Sequence, residues 1–236
     1  MDIYWNSILT ALNLIITADS KLIEIFFLSF KVTFSALIIS CFIGLPLGTF
    51  LAIQQFKGRA ILIGLVNSLM AIPPVVVGLF VYINLSRSGP LGWMGLLYTP
   101  TAMIIAQVIL ILPIITGLTA QVIEDLQVHY KDLFVSLVTP KLHTIFAYII
   151  DARYSLITVI LAGLAKGISE VGAVIIVGGN IDYLTRVMTT TIALETSKGE
   201  LPLALAIGLI LLIVSMTINL VVSYKKYSRK DKSYEQ

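Results

Sequence analysis

The sequence predicts an all-α integral membrane protein, and its composition and apolar stretches lead to that class. Of its 236 residues, 58% are hydrophobic and only 12% are charged. A soluble domain carries about 25% charged residues, and a single core cannot hide this much apolar surface from water. Helices satisfy their own backbone in lipid, so they are the expected spanning elements. This composition excludes a soluble enzyme, a disordered protein and a nucleic-acid binder.

Five apolar stretches are long enough to cross a bilayer, which takes about 20 residues. They cover approximately residues 25–53, 60–86, 98–120, 155–178 and 201–224. An earlier stretch, Ile3–Thr17, is shorter and is interrupted by Asn6 and Asn13. It begins near Trp5, a residue type that favours the membrane interface. We expect an N-terminal helix within residues 1–20 at the interface, with a sixth span as the alternative.

The distribution of Lys and Arg predicts the orientation of these spans. Basic residues concentrate in the turn at 54–60, in the segment at 121–153 and in the tail from 224. Cytoplasmic loops carry the excess of Lys and Arg, so these three regions are expected in the cytoplasm. The opposite flanks carry fewer basic residues: Lys21, Arg87, Arg186 and Lys198. The basic tail at 225–236, and with it the C-terminus, is therefore predicted to be cytoplasmic.

Several kinds of chemistry are missing from the sequence. No GxxxxGK[ST] phosphate loop is present, so ATP hydrolysis is not expected in this chain. The two histidines, His129 and His143, have no second ligand pair beside them, and no catalytic constellation is visible, so neither a metal site nor an enzyme is predicted. A carrier driven by protons usually has acidic residues in mid-membrane. In this sequence the candidates for such a site are limited to Lys166 and Glu170. A transporter energised by a partner protein fits this pattern better.

Prolines within two spans predict irregular helices. Pro73 and Pro74 follow Asn67 in the second span and remove two backbone donors, which forces a break or kink. Pro113 likewise removes a backbone donor in the third span and is expected to cause a break or kink there. The kinks serve either helix packing or the lining of a path, and both interpretations stay open.

Two GxxxG patterns favour close helix packing. Gly44 and Gly48 form the first, and Gly163 and Gly167 form the second. Small residues one turn apart let helices approach closely in lipid, and we expect packing within the chain rather than a dimer contact.

The fourth span contains the polar group Lys166, Ser169 and Glu170. Lys166 and Glu170 are four residues apart, so on a continuous helix they share a face and can pair. Charges at this depth need a partner or a wet cavity. They form either an orienting ion pair or the polar lining of a path, and we favour the lining.

The segments on either side of the fourth span suggest two kinds of contact. The outer segment contains Asn180, Thr185 and Arg186, whose donors suit brief contact with an oxyanion, although a solvated loop is the simpler interpretation. The cytoplasmic segment Val128–Val138 is predicted to form a short amphipathic helix that ends near Pro140. Its apolar residues indicate docking against a partner.

Several motifs together carry a family resemblance. They are AIPPVVVGL at 71–79, SRSGPLG at 86–92, TPTAMIIAQ at 99–107, ISEVGAVIIVGGNI at 168–181 and TRVMTTTIALETSKGE at 185–200. From about residue 25 to 224, the chain resembles the permease subunits of binding-protein-dependent ABC importers for tungstate and the related molybdate. Molybdate and sulfate permeases usually have Gly-Glu-Phe-Gly where this chain has Ser169-Glu170-Val171-Gly172.

The resemblance implies a type I ABC importer permease fold (MetI-like), with five long transmembrane helices plus the N-terminal helix in one permease domain over 1–236. It also implies a cytoplasmic coupling segment at about 130–142. Asp132, Leu133 and Phe134 fall where the family has Glu-Ala-Ala, and Val138 falls where a glycine is usual, so this copy departs from the motif. The expected ATPase contacts are Tyr130, Lys131, Asp132, Leu133, Phe134, Leu137, Val138 and Pro140. The pathway or gate candidates are Asn67, Pro73, Pro74, Pro113, Lys166, Ser169, Glu170, Asn180, Thr185 and Arg186.

The resemblance further implies partners and a location. Two copies of the chain would form the pathway, two ATPase subunits would hydrolyse ATP-Mg, and an extracytoplasmic protein would deliver the oxyanion. The assembly would sit among the lipids of a prokaryotic plasma membrane, without nucleic acid and without a cofactor in this chain. A molybdate or sulfate permease is one alternative. A proton-coupled anion carrier that uses Lys166 and Glu170 is another.

Overall fold

The computed structural model describes residues 2–17, 20–136 and 140–232, and within them the chain forms helices and no strand. The helices are α1 (Asp2–Ile16), α2 (Ser20–Ile53), α3 (Arg59–Met70), α4 (Pro74–Leu85), α5 (Pro100–Ser136), α6 (Lys141–Asp151), α7 (Arg153–Ile168), α8 (Gly172–Gly178), α9 (Met188–Lys198) and α10 (Leu201–Lys232). A short 3₁₀ helix, Gly92–Met94, lies between α4 and α5.

Three helical segments are each long and apolar enough to span a membrane: Ser20–Ile53, Pro100–Gln127 and Leu201–Tyr224. They confirm the long apolar helices predicted at 25–53, 98–120 and 201–224. Within the described residues, the number rises to five if two interrupted helix pairs each count as one span. One pair is α3 with α4, and the other is α6 with α7, which is bent by 82°. Helix α1 has 15 residues, fewer than the roughly 20 of a straight span, so an interfacial position stays the prediction for it.

The chain divides into two compact units, of which the first comprises the residues up to Ala36, Pro73–Gln107 and Gly167–Leu220. Within this unit α4 packs closely on α8, because a Cβ on Gly78 would lie only 2.8 Å from the Ala173 Cα. Helix α1 contributes Ala11 to an apolar cluster with residues of α9 and α10. The cluster contains Ala11, Met188, Ala206, Ile207 and Ile210. Helix α1 is therefore part of the packed structure.

The second unit comprises Leu37–Ile72, Val108–Lys166 and the residues from Val221 onward. Its core depends on the close approach of α2 and α5. A Cβ on Gly48 would lie 2.4 Å from the Thr116 carbonyl oxygen, and one on Gly44 would lie 2.9 Å from the Ile115 side chain. Gly163 of α7 is similarly enclosed, with the Ile115 side chain 2.7 Å from its virtual Cβ. For Gly44, Gly48 and Gly163 these contacts confirm the prediction of packing within the chain.

Candidate functional site

The helical structure is interrupted at residues 169–171, between α7 and α8, inside the stretch predicted as the fourth span. The prediction of one helix over 155–178 is therefore wrong. Lys166 lies in the last turn of α7, whereas Glu170 lies beyond the end of that helix. The two residues therefore do not lie on one face of a continuous helix, and the prediction that they do is also wrong. In lipid, such an interruption needs side chains or water to satisfy the freed backbone groups.

Glu170 satisfies the first turn of α8 with its own side chain. Its Oε1 accepts a hydrogen bond from the Ala173 N–H at 2.9 Å, and the residue is only 5% exposed. The first N–H groups of a helix have no intrahelical acceptor, and a carboxylate is a strong one. Ser169, the other predicted polar residue, lies in the same interruption. Glu170 thus holds the start of α8, a role that needs no proton transfer.

Two further residues, neither of them predicted from the sequence, donate hydrogen bonds to backbone carbonyls at the interruption. Gln107 of α5 donates from Nε2 to the Gly167 carbonyl at 3.1 Å. Thr189, near the start of α9, donates from its hydroxyl to the Glu170 carbonyl at 2.9 Å. The available signal was the one amide in the apolar run TPTAMIIAQ. Its partner lies 60 residues away in the chain, so local pattern reading does not reveal the bond.

A small pocket, lined mostly by apolar residues but with several polar side chains, adjoins the interruption. Its empty space is about 380 Å³, including the part that is open to the surroundings. Its polar lining consists of Ser29, Thr33, Gln107, Glu170 and Thr189. Gln107 is 3% exposed, and its Oε1 has no hydrogen-bond partner among the described residues, so the pocket offers a buried acceptor. A carboxylate repels an oxyanion at short range, so the pocket suits water that supports the interruption better than it suits an anion.

The outer segment after α8 is shaped by Thr185. The Thr185 hydroxyl donates to the Gly178 carbonyl at 2.6 Å and accepts from the Ile181 N–H at 2.9 Å. The residue is 1% exposed. Asn180 lies within this turn in the left-handed region, with φ of 50°. Thr185 therefore closes the loop, and its hydroxyl is engaged inside the protein.

Arg186, the predicted guanidinium of this segment, is paired with a carboxylate. Its Nη1 lies 3.0 Å from Asp182 Oδ1, and its Nη2 donates to the Asn180 carbonyl at 3.4 Å. Lys21 of α2 lies nearby, with its Nζ 6.0 Å from the centre of the Tyr183 ring. The acidic partner offsets the charge of Arg186, so an oxyanion would have to compete with Asp182 for it.

The prolines behave differently in the two predicted positions. Pro73 caps α4 and Pro74 is its first residue, so the predicted break at this pair is confirmed. Proline is favoured at the first helical position because its missing N–H would lack an acceptor there anyway. Helix α5, in contrast, continues through Pro113, so of the predicted break or kink the helix shows no break at that residue. Asn67 lies on α3 with its side chain exposed.

Only some of the predicted ATPase contacts lie within the described residues. Residues 130–134 lie in the C-terminal part of α5, while Leu137 and Val138 lie outside the described residues. The separate amphipathic helix predicted at Val128–Val138 is wrong, since α5 runs without interruption to Ser136. The amphipathic helix is instead α6, which follows Pro140. It buries Ile145 and Tyr148 and exposes Phe146 and Ile150, so it carries an apolar surface.

The chain is similar to known proteins over most of its length. No model of a known protein family matches it. The chain is 42% identical over 212 residues to the tungstate uptake system permease protein TupB of Peptoclostridium acidaminophilum, with 90% of this chain and 93% of that protein covered. It is 37% identical over 167 residues to TupB of Campylobacter jejuni, with 71% and 70% covered.

A third relative broadens the comparison. A probable anion ABC transporter permease protein of Haloferax volcanii is 36% identical over 203 residues, with 84% of this chain and 88% of that protein covered. Sulfate transport system permeases are more distant, at 23% to 26% identity. The similarity is therefore stronger to the tungstate-type permeases than to the sulfate type.

Proposed function

Because this chain belongs to the family of ABC transporter permease subunits that includes the tungstate uptake permeases, we propose that it forms the transmembrane pathway of a tungstate importer. The observation that carries the proposal is 42% identity over 90% of the chain to a tungstate uptake permease. The several membrane-spanning helices supply the pathway. Sulfate is disfavoured as the substrate because the sulfate permeases match at no more than 26% identity. Molybdate uptake is the second candidate, since its oxyanion has the same shape and charge.

The proposal includes a type I (MetI-like) fold in a single domain over residues 1–236. Five spans would cross the membrane, and α1 would lie at the interface. The excess of Lys and Arg in the 54–60 turn, the 121–153 segment and the tail from 224 supports a cytoplasmic C-terminus. This orientation places α6 at the cytoplasmic end of the span that it forms with α7, and the loop containing Arg186 outside.

The energy source is proposed to lie in partner chains. Two ATPase subunits would bind ATP-Mg and act on two copies of this permease, while an extracytoplasmic protein would deliver the oxyanion. The sequence supports this division because it has no phosphate loop. Helix α10 leaves most of its apolar surface uncovered by the rest of the chain. Only 17% of its most apolar stretch is buried, against 44% in α2 and 50% in α5, which supports contacts with other molecules. A second copy and lipid would cover the remainder.

We assign ATPase docking to the region from 130 to α6. The exposed Phe146 and Ile150 give α6 an apolar surface that water does not favour. Replacement of 130–142 by a Gly/Ser linker of equal length, combined with Phe146→Ser and Ile150→Ser on α6, is expected to abolish co-purification with the ATPase while membrane insertion persists. Undiminished co-purification would remove this assignment.

The substrate assignment is tested by competition in the complete importer. Proteoliposomes with permease, ATPase and binding protein are given a labelled tungstate at low concentration and an excess of unlabelled oxyanion. We expect molybdate to compete weakly and sulfate not to compete. Equal inhibition by molybdate would favour a shared tungstate and molybdate importer, and strong inhibition by sulfate would contradict the proposal.

A further inference from the structure

The C-terminal end of α2 is held by side chains that lie outside that helix. The last four carbonyls of a helix have no intrahelical donor. Here the Phe50 carbonyl accepts from the Gln54 N–H at 3.0 Å. Arg59 donates from Nε to the Leu51 carbonyl at 2.7 Å and from Nη2 to the Ala52 carbonyl at 3.2 Å. Gln127 of α5 donates from Nε2 to the remaining carbonyl, that of Ile53, at 3.4 Å.

The same guanidinium also contacts α5 directly. Arg59 Nη2 forms a salt bridge with Glu124 Oε1, and the Arg59 side chain is 22% exposed. One planar group therefore connects the end of α2 with α5, while Gln127 adds a second link one turn further along. Lysine is a poor replacement here, because only arginine has several donors in a fixed planar arrangement.

These contacts lie just before the part of α5 that we assign to ATPase docking. Glu124 and Gln127 precede the region from 130 on the same uninterrupted helix, which ends at Ser136. A helix transmits displacement along its length, and a linked set of hydrogen bonds passes it to a neighbour. We infer that Arg59, Glu124 and Gln127 form a clasp that couples displacement of the ATPase-contacting end of α5 to α2.

The inference rests on the proposed function and adds a role for residues that lie outside the proposed docking region. They are positioning residues, so the readout must separate coupling from folding. The complete importer in proteoliposomes supplies three measurements: assembly with the ATPase, ATP hydrolysis, and oxyanion taken up per ATP hydrolysed. A residue that serves stability alone lowers assembly and leaves the uptake per ATP of the remaining complexes unchanged.

Arg59→Lys is the main variant. We expect assembly and hydrolysis within about twofold of the wild type and uptake per ATP reduced by roughly tenfold, within the usual range of coupling between sites. Glu124→Gln keeps both carbonyl contacts and the side-chain size, so a smaller reduction of about fivefold is expected. This variant tests the clasp if Arg59→Lys assembles poorly. Lys57→Gln is the control, since it removes a positive charge from the same exposed turn without touching the clasp.

A charge exchange separates the two parts of the clasp. In Arg59→Glu with Glu124→Arg, the ion pair can re-form, but the carbonyls of Leu51 and Ala52 lose their donors. We expect no recovery of uptake per ATP. Wild-type uptake per ATP in Arg59→Lys and in Glu124→Gln would overturn the clasp, as would full recovery in the exchanged pair. Failure of the wild-type chain to bind the ATPase would instead overturn the proposed function on which the clasp depends.

Discussion

Gly48→Ala tests the close contact between α2 and α5, and the structure sets the size of its effect. The added Cβ would lie 2.4 Å from the Thr116 carbonyl oxygen, 2.8 Å from the Thr119 Cβ and 3.2 Å from the Ala120 nitrogen. Two of these obstacles are backbone atoms, which cannot rotate away. The helices must therefore separate by roughly 1 Å, and a gap of that size forfeits about a quarter to a half of each dispersion contact.

The expected loss combines two opposing contributions. Overpacking a fitted interface costs about 1–3 kcal/mol, and the backbone contact places Gly48→Ala near the upper end. Alanine regains about 1 kcal/mol of helix propensity over glycine. The net loss is therefore about 2 kcal/mol, which corresponds to a fall of about 4–8 °C in Tm for a chain of this size.

The assay is thermal unfolding of the detergent-solubilised protein, followed as the fraction that stays monodisperse after heating. Gly64→Ala on α3 is the matched control, because its added Cβ would have no atom within 4 Å among the described residues, apart from its chain neighbours and the backbone of its own helix. We expect it to melt at or slightly above the wild-type temperature. Gly44→Ala should fall between the two, since its neighbours are side-chain atoms of Ile115 and Thr116. Equal Tm values for Gly48→Ala and Gly64→Ala would refute the packing argument.

Three further variants address the interruption and the outer loop. Glu170→Gln can still accept the Ala173 N–H, so uptake by the complete importer should stay within about threefold of the wild type, whereas loss of uptake would indicate that the charge itself is needed. Thr189→Val removes the donor to the Glu170 carbonyl, and a stability loss of about 0.6–1.7 kcal/mol in thermal unfolding is expected; no loss would mean that water replaces the hydroxyl. Thr185→Val removes two buried hydrogen bonds and should lower stability by about 1–3 kcal/mol, while Thr185→Ser keeps both; equal effects of the two variants would contradict the loop-closing role.

Local chemistry explains the parts of the fold that were predictable. Apolar length identified α2, the membrane part of α5 and α10, because a spanning helix needs nothing beyond its own residues to satisfy its backbone. The break at Pro73 and Pro74 also followed from local chemistry, since two adjacent prolines remove two donors. Pro113 shows the limit of that rule, because α5 accommodates a single proline without ending.

The interruption after Ile168 depends on distant residues and was missed for that reason. Residues 169–171 contain no proline, and the interruption is stabilised by Gln107 and Thr189, which come from other helices. Helix α6 was missed because α5 continues through the residues assigned to a separate amphipathic helix. The clasp at Arg59 was invisible to pattern reading, since its partner Glu124 is 65 residues away.

We propose that this chain conducts tungstate only when a partner ATPase supplies the energy. Proteoliposomes that contain the purified chain, with and without the ATPase and the binding protein, test it directly under an imposed proton gradient and with ATP. We expect accumulation of labelled tungstate only with all three components and hydrolysable ATP. Accumulation by the chain alone, driven by the proton gradient, would contradict it and would identify a proton-coupled carrier.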